Sequence, residues 1–120
     1  MAKKKILIVD DEVGIVQEIK EFLEEEGYEV HVADTGKEGI RLVESVKPDV
    51  VMIDMKLPDA SGIDVLKACK EKSPRTKTVM ITGYVDQHLM DEAEENGRDT
   101  FLQKPFDLVR VVEEIQRLLM

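Results

Sequence analysis

Val50-Val51-Met52-Ile53-Asp54 is the stretch whose reading decides the fold. Four apolar residues run straight into a carboxylate, and Met55-Lys56-Leu57-Pro58-Asp59 ends the run. An unbroken apolar run of this length suits a strand covered on both faces, as the strands of parallel sheets are. A carboxylate at its far end is costly to bury unless something meets it. Asp54 therefore needs partners, and the rest of the chain must supply them.

Working outward, Ile6-Leu7-Ile8-Val9 is a second apolar run, ending in Asp10-Asp11-Glu12, and Thr78-Val79-Met80-Ile81 is a third, ending in Thr82-Gly83. Tyr28, Val30 and Val32 alternate with Glu29, His31 and Ala33, so this strand is expected at an edge with one wet face. Asp99-Thr100-Phe101-Leu102-Gln103 reads as a short mixed strand that leads into Lys104-Pro105. Between the strands the apolar spacing is helical. Ile15, Val16, Ile19, Phe22 and Leu23 mark a first helix that stops at Gly27, and Ile40 and Val43 mark a second over Gly36 to Val46. Ile63, Leu66 and Cys69 mark a third, ended by Ser73-Pro74. Leu89, Met90 and Ala93 give a weaker fourth, with Met90 expected in the core and a stop at Asn96-Gly97. Leu108, Val111, Val112, Ile115, Leu118 and Leu119 give a fifth that runs to the last residue.

Strands alternating with helices predict a parallel sheet with helices on both faces, a doubly wound (βα)5 three-layer α/β sandwich over residues 1–120 as a single domain. The three fully apolar strands belong at the centre and the two mixed ones at the edges. Short right-handed connections then favour the order 2-1-3-4-5. In that order the carboxyl ends of the strands bring Asp10, Asp11, Asp54, Thr82 and Lys104 to one edge of the sheet, at the switch point where ligands bind in such folds.

Composition narrows the chemistry. The 120 residues suit one core, and the 42% apolar content is that of an ordinary globular domain. No apolar run approaches the roughly 18 residues that span a bilayer. The basic start Met1-Ala2-Lys3-Lys4-Lys5 precedes only four apolar residues, which argues against a secretory signal and for the cytoplasm. Cys69 is the single cysteine, expected as a small buried hydrophobe. A net charge of −9 repels nucleic-acid backbones and anionic lipid, so neither is an expected direct partner, while cations are attracted.

Three aspartates brought together repel one another: at an effective dielectric of about 20, two unit charges 4 Å apart cost roughly 4 kcal/mol. A hard divalent cation relieves this, and an oxygen-rich site without histidine or cysteine selects Mg²⁺ over Zn²⁺. A carboxylate beside a dication, the Lys104 ammonium and the Thr82 hydroxyl is placed to attack phosphorus. The bland alternative is that Asp10, Asp11 and Asp54 only cap the helices after their strands. That account leaves the matching lysine and threonine unexplained.

These residues resemble the receiver domain of two-component response regulators, the CheY-like family. The resemblance rests on Ile6-Leu7-Ile8-Val9-Asp10-Asp11-Glu12, on Asp54 with Pro58 and Gly62, on Thr82, and on Lys104-Pro105-Phe106. It implies a flavodoxin-like, CheY-like fold and phosphoryl transfer to Asp54 from a phosphohistidine of a sensor histidine kinase or histidine phosphotransferase. It further implies Mg²⁺, with Mn²⁺ as a substitute, held by Asp11, Asp54 and the Lys56 carbonyl, with Asp10 reaching it through water. Lys104 would contact the phosphoryl group through a cis Lys104-Pro105 bond. Thr82 and Phe101 would switch binding to a downstream partner or effector domain, in a monomer or a phosphorylation-dependent dimer.

Gly83 and Phe101 stand where the family often has alanine and tyrosine. Lys56 and Tyr84 are large, and are expected to shield the phosphoryl group from water and lengthen its lifetime. Together with Gly14 and Ile15 they resemble the single-domain sporulation-phosphorelay type of receiver. An exposed Ile15, with Gly14, Pro105 and Phe106, is expected to form the surface that docks a helical phosphodonor. A phosphohydrolase with an aspartate nucleophile would place a second aspartate where Lys56 stands. A flavin domain would need a phosphate-cradling loop where Asp10-Asp11-Glu12 stands.

Overall fold

The computed structural model describes residues 2–83 and 86–120. Among them five strands and five helices alternate: β1 (Lys5–Val9), α1 (Val13–Glu25), β2 (Glu29–Ala33), α2 (Gly36–Val46), β3 (Val50–Asp54), α3 (Gly62–Lys72), β4 (Lys77–Thr82), α4 (Gln87–Glu95), β5 (Thr100–Gln103) and α5 (Leu108–Leu118). All strand pairs are parallel and the order is β2-β1-β3-β4-β5, as expected.

The alternating sides of each strand feed two cores. Ile6, Ile8, Val50, Met52, Val79 and Ile81 face Val16, Ile19 and Leu23 of α1 and Val111, Val112 and Ile115 of α5. Leu7, Val9, Val51, Ile53 and Met80 face Val43 of α2, Ile63, Val65, Leu66 and Cys69 of α3, and Ala93 of α4. Every residue of β3 is buried, so the strand cannot slip by one position without moving a full set of side chains to the wrong core. Cys69 lies in this second core, where burial pushes its thiol up to about 11.

Helix ends follow local chemistry. Gly27 takes φ +96° just past α1, a conformation that suits glycine. Ser61 opens α3 with a capping box: its hydroxyl accepts from the Ile63 N–H, and Asp64 accepts from the Ser61 N–H. Asp86 and Asp107 cap α4 and α5.

Four expectations need correction. The outer side of edge strand β2 is wet only over its first part: Glu29 is exposed and His31 half-buried, but Ala33 packs into the second core. Met90 is half-buried and stands outside both cores; Leu89 and Ala93 turn that side of α4 inward. Helix α5 ends at Leu118, and Met120 is fully exposed. Ile15 is half-buried against the α1–α5 core, and the exposed apolar residue at the start of α1 is Val13, at 76%.

Candidate functional site

Backbone hydrogen bonds lock the carboxyl ends of the central strands together. Asp10 N–H donates to Ala33 O (3.0 Å), Met55 N–H to Ile81 O (2.8 Å) and Lys104 N–H to Thr82 O (2.7 Å). Helix α3 is pressed onto the same edge: a Cβ added to Gly62 would lie 2.2 Å from Asp54 O, and its N–H donates to Met55 O (2.9 Å). The main chain thus places Asp10, Asp54, Thr82 and Lys104 before any side chain chooses a rotamer.

The two buried aspartates are held alike. Asp10 Oδ1 accepts from Glu12 N–H (2.9 Å) and Asp54 Oδ1 from Lys56 N–H (3.0 Å), each two residues on. Both therefore present Oδ2 to the Lys104 ammonium, at 3.0 Å and 3.2 Å. Neither side chain caps a helix, since α3 uses Ser61 and α1 has no side-chain cap. Thr82 is buried beside them, and the pocket of about 340 Å³ over the cluster is lined by Asp11, Glu12, Asp54, Lys56, Thr82, Gly83 and Lys104. The Lys104-Pro105 bond is cis, as the resemblance implied.

Electrostatics are unbalanced here. Burial raises the Asp54 carboxyl above its ordinary value; the Asp10 charge adds to this, against the lowering pull of the Lys56 N–H and Lys104. Burial alone would lower the Lys104 ammonium, but Glu12, Asp10 and Asp54 together hold it above the usual lysine value. Asp10 Oδ2 is fully buried and receives no hydrogen bond; Lys104 meets it as a charge, off the line of a hydrogen bond. A buried carboxylate oxygen without a donor fits a cation or its bound water, and the surrounding donors are hard oxygens.

The carboxylates that converge are Asp10, Glu12 and Asp54, and together they could hold a metal ion. Asp11 lines the pocket, but its side chain is exposed and outside this group. Glu12 joins the group through its ion pair with Lys104, at 2.5 Å. Sequence reading singled out Asp11 and passed over Glu12. The only signal for Glu12 was its position two residues beyond Asp10, where the turn made by the Asp10 side chain swings it back over the strand ends.

Phe101 is half-buried against the second core, on the strand next to Thr82. Ile15, Pro105 and Phe106 line a largely apolar groove of about 760 Å³ between α1 and the start of α5, which also reaches Lys104. Gly14, next to Ile15 in sequence, is exposed, with open space where a side chain would be. Tyr84 lies outside the described residues.

The family model described as the response regulator receiver domain matches residues 6–116. The sporulation initiation phosphotransferase F of Bacillus subtilis is 34% identical over 119 residues, covering 99% of this chain and 96% of that protein. The chemotaxis protein CheY of Thermotoga maritima is 33% identical over 116 residues, covering 96% of this chain and 97% of that one. A solved CheY-like receiver domain from Methanospirillum hungatei superimposes with a TM-score of 0.96 at 35% identity, covering 98% and 94% of the two chains. With Asp10, Asp54, Thr82 and Lys104 on one sheet edge, the chain belongs to the receiver domains of two-component response regulators.

Proposed function

We propose that residues 1–120 form one receiver domain in which Asp54 accepts a phosphoryl group from the phosphohistidine of a sensor histidine kinase or histidine phosphotransferase in the cytoplasm. The observation that carries this reading is a strand-tip carboxylate, 7% exposed, at the mouth of a polar pocket where the Lys104 ammonium is shared among three acids. An Asp54 oxygen attacks phosphorus, the P–N bond to the imidazole breaks, and its electron pair stays on the ring nitrogen. Lys104 meets the charge on the transferring oxygens, and the Thr82 hydroxyl donates to one of them.

Mg²⁺, or Mn²⁺ in its place, would be held by Asp11, Asp54 and the Lys56 carbonyl, with Asp10 reaching it through water, and would supply positive charge to the phosphoryl oxygens. Thr82 and Phe101 carry the switch: Thr82 turns to the phosphoryl group and the Phe101 ring moves further into the second core, changing the surface offered to a downstream partner or effector domain. Lys56, from the pocket wall, and Tyr84 slow hydrolysis of the acyl phosphate, so replacing both with small residues shortens its lifetime; an unchanged half-life refutes this role.

The groove at Ile15, Pro105 and Phe106, with Gly14 next to Ile15 in sequence, suits an apolar helix face of the phosphodonor. Ile15→Ala then weakens transfer from the cognate kinase, and unimpaired transfer moves the docking surface elsewhere. Incubation with acetyl phosphate and Mg²⁺, followed by intact mass, tests the central reading. Wild type gains one phosphoryl group and Asp54→Asn gains none; an adduct on Asp54→Asn overturns the assignment.

A further inference from the structure

The acid nearest Lys104 is not the one that would react. Lys104 Nζ lies 2.5 Å from Glu12 Oε1, 3.0 Å from Asp10 Oδ2 and 3.2 Å from Asp54 Oδ2. Asp10 and Asp54 sit at strand ends and are each pinned through Oδ1 by a backbone N–H. Glu12 is held differently. It occupies the N-cap of α1, yet its side chain caps nothing and turns to Lys104 instead, across 92 positions of sequence. Its side chain is 50% exposed, whereas that of Lys104 is 11% exposed.

We propose that Glu12 is a positioning residue that shares the Lys104 ammonium with Asp54 at rest, draws it toward the start of α1 and thereby slows phosphoryl transfer to Asp54. This rests on the reading of Asp54 as the phosphoacceptor. For Lys104 to reach a phosphoryl oxygen it must leave Glu12: one ion pair breaks, another forms, and no proton moves. With acetyl phosphate as donor, the new bond joins an Asp54 oxygen to phosphorus, and the P–O bond to acetate breaks with its electron pair leaving on acetate. Glu12 thus adds to the barrier without touching the reacting atoms. Because it is half-exposed and caps nothing, Glu12→Gln leaves the fold intact.

The test follows the Asp54 adduct by intact mass under saturating Mg²⁺ and acetyl phosphate, with Asp54→Asn as the blank. Glu12→Gln is expected to speed adduct formation about two- to fivefold, the worth of a half-exposed ion pair. In a Lys104→Met background the same substitution is expected to give no gain, since the restraint acts through Lys104. A gain that persists without Lys104 makes Glu12 only a charge that repels the anionic donor, and overturns the proposal. An unchanged or slower rate for Glu12→Gln alone does the same. A readout free of turnover is the ¹H–¹⁵N signal of the Lys104 ammonium in the metal-free chain. It is expected to shift in Glu12→Gln, and an unmoved signal also refutes the proposal. If wild type forms no Asp54-dependent adduct while the ammonium signal does shift, the phosphoacceptor reading fails and the Lys104–Glu12 pair stands as a structural contact alone.

Discussion

Asp54 and Asp99 stand at opposite ends of the sheet and have opposite surroundings. Asp99, just before β5, accepts from Thr78 N–H (2.9 Å), the Thr78 hydroxyl (3.1 Å) and Lys70 Nζ (3.4 Å), while its own N–H donates to Thr78 Oγ1 (3.0 Å). Burial would raise its carboxyl, but these donors, the Thr78 N–H first, hold it below the ordinary value. Nearby, Ser73 and Thr76 hydroxyls share a proton bridge, and Thr76 donates to Pro48 O, so that end of the sheet is sealed by hydroxyls. At Asp54 the balance reverses: three acids share the Lys104 ammonium, and burial raises the carboxyl. One end matches each acid with donors and serves the fold. The other gathers acids, whose mutual repulsion is expected to cost stability in the metal-free chain and which could hold a cation.

The contrast can be broken most forcefully through backbone packing. Gly62→Val drives a side chain into the Asp54 carbonyl and the Met55 main chain. It is expected to cost about 3 kcal/mol in urea unfolding, with α3 displaced from the site. Removing the satisfied acid comes next. Asp99→Ala strips partners from Thr78 and Lys70 and is expected to cost about 2 kcal/mol while leaving the Asp54 adduct in place. If both properties fall together, the two ends are not independent.

Removing the strained acid should act in the other direction. Asp54→Asn is expected to leave metal-free stability unchanged or raise it by about 1 kcal/mol, since it relieves repulsion from Asp10. A clear loss by calorimetry would mean that Lys104 already balances the cluster. The smallest effect concerns acid. The Asp99 carboxyl is lowered in the fold, so its stabilisation is complete above its unfolded value, near 3.9, and disappears as pH falls through the lower folded value. Asp99→Asn should therefore flatten the acid limb of stability in that window and leave the neutral limb parallel to wild type.

How far the sequence foretold these two ends differs for physical reasons. Strand order was legible because β1, β3 and β4 are apolar on both faces, which only a sheet covered twice allows. Asp10, Asp54, Thr82 and Lys104 followed from strand polarity alone. What escaped depended on side-chain reach and on packing by distant elements. Lys104 selects Glu12 over Asp11 through a long flexible arm. Ala33 is buried in the second core, and Ile15 is half-buried against the first. The satisfaction of Asp99 was invisible for the same reason: its donors come from β4 and α3, 21 and 29 residues away.

The short bond from Lys104 N–H to Thr82 O joins the two residues through their main chains. The base of the lysine is thus fixed to the neighbouring strand, while its tip lies among Glu12, Asp10 and Asp54 at the end of a chain of rotatable bonds. A main-chain shift at Thr82, by contrast, drags the root of Lys104 with it. Amide hydrogen exchange at Lys104 is then expected to be slow whichever acid its ammonium meets. The same residue acts as a rivet in the sheet and as a shared charge in the pocket.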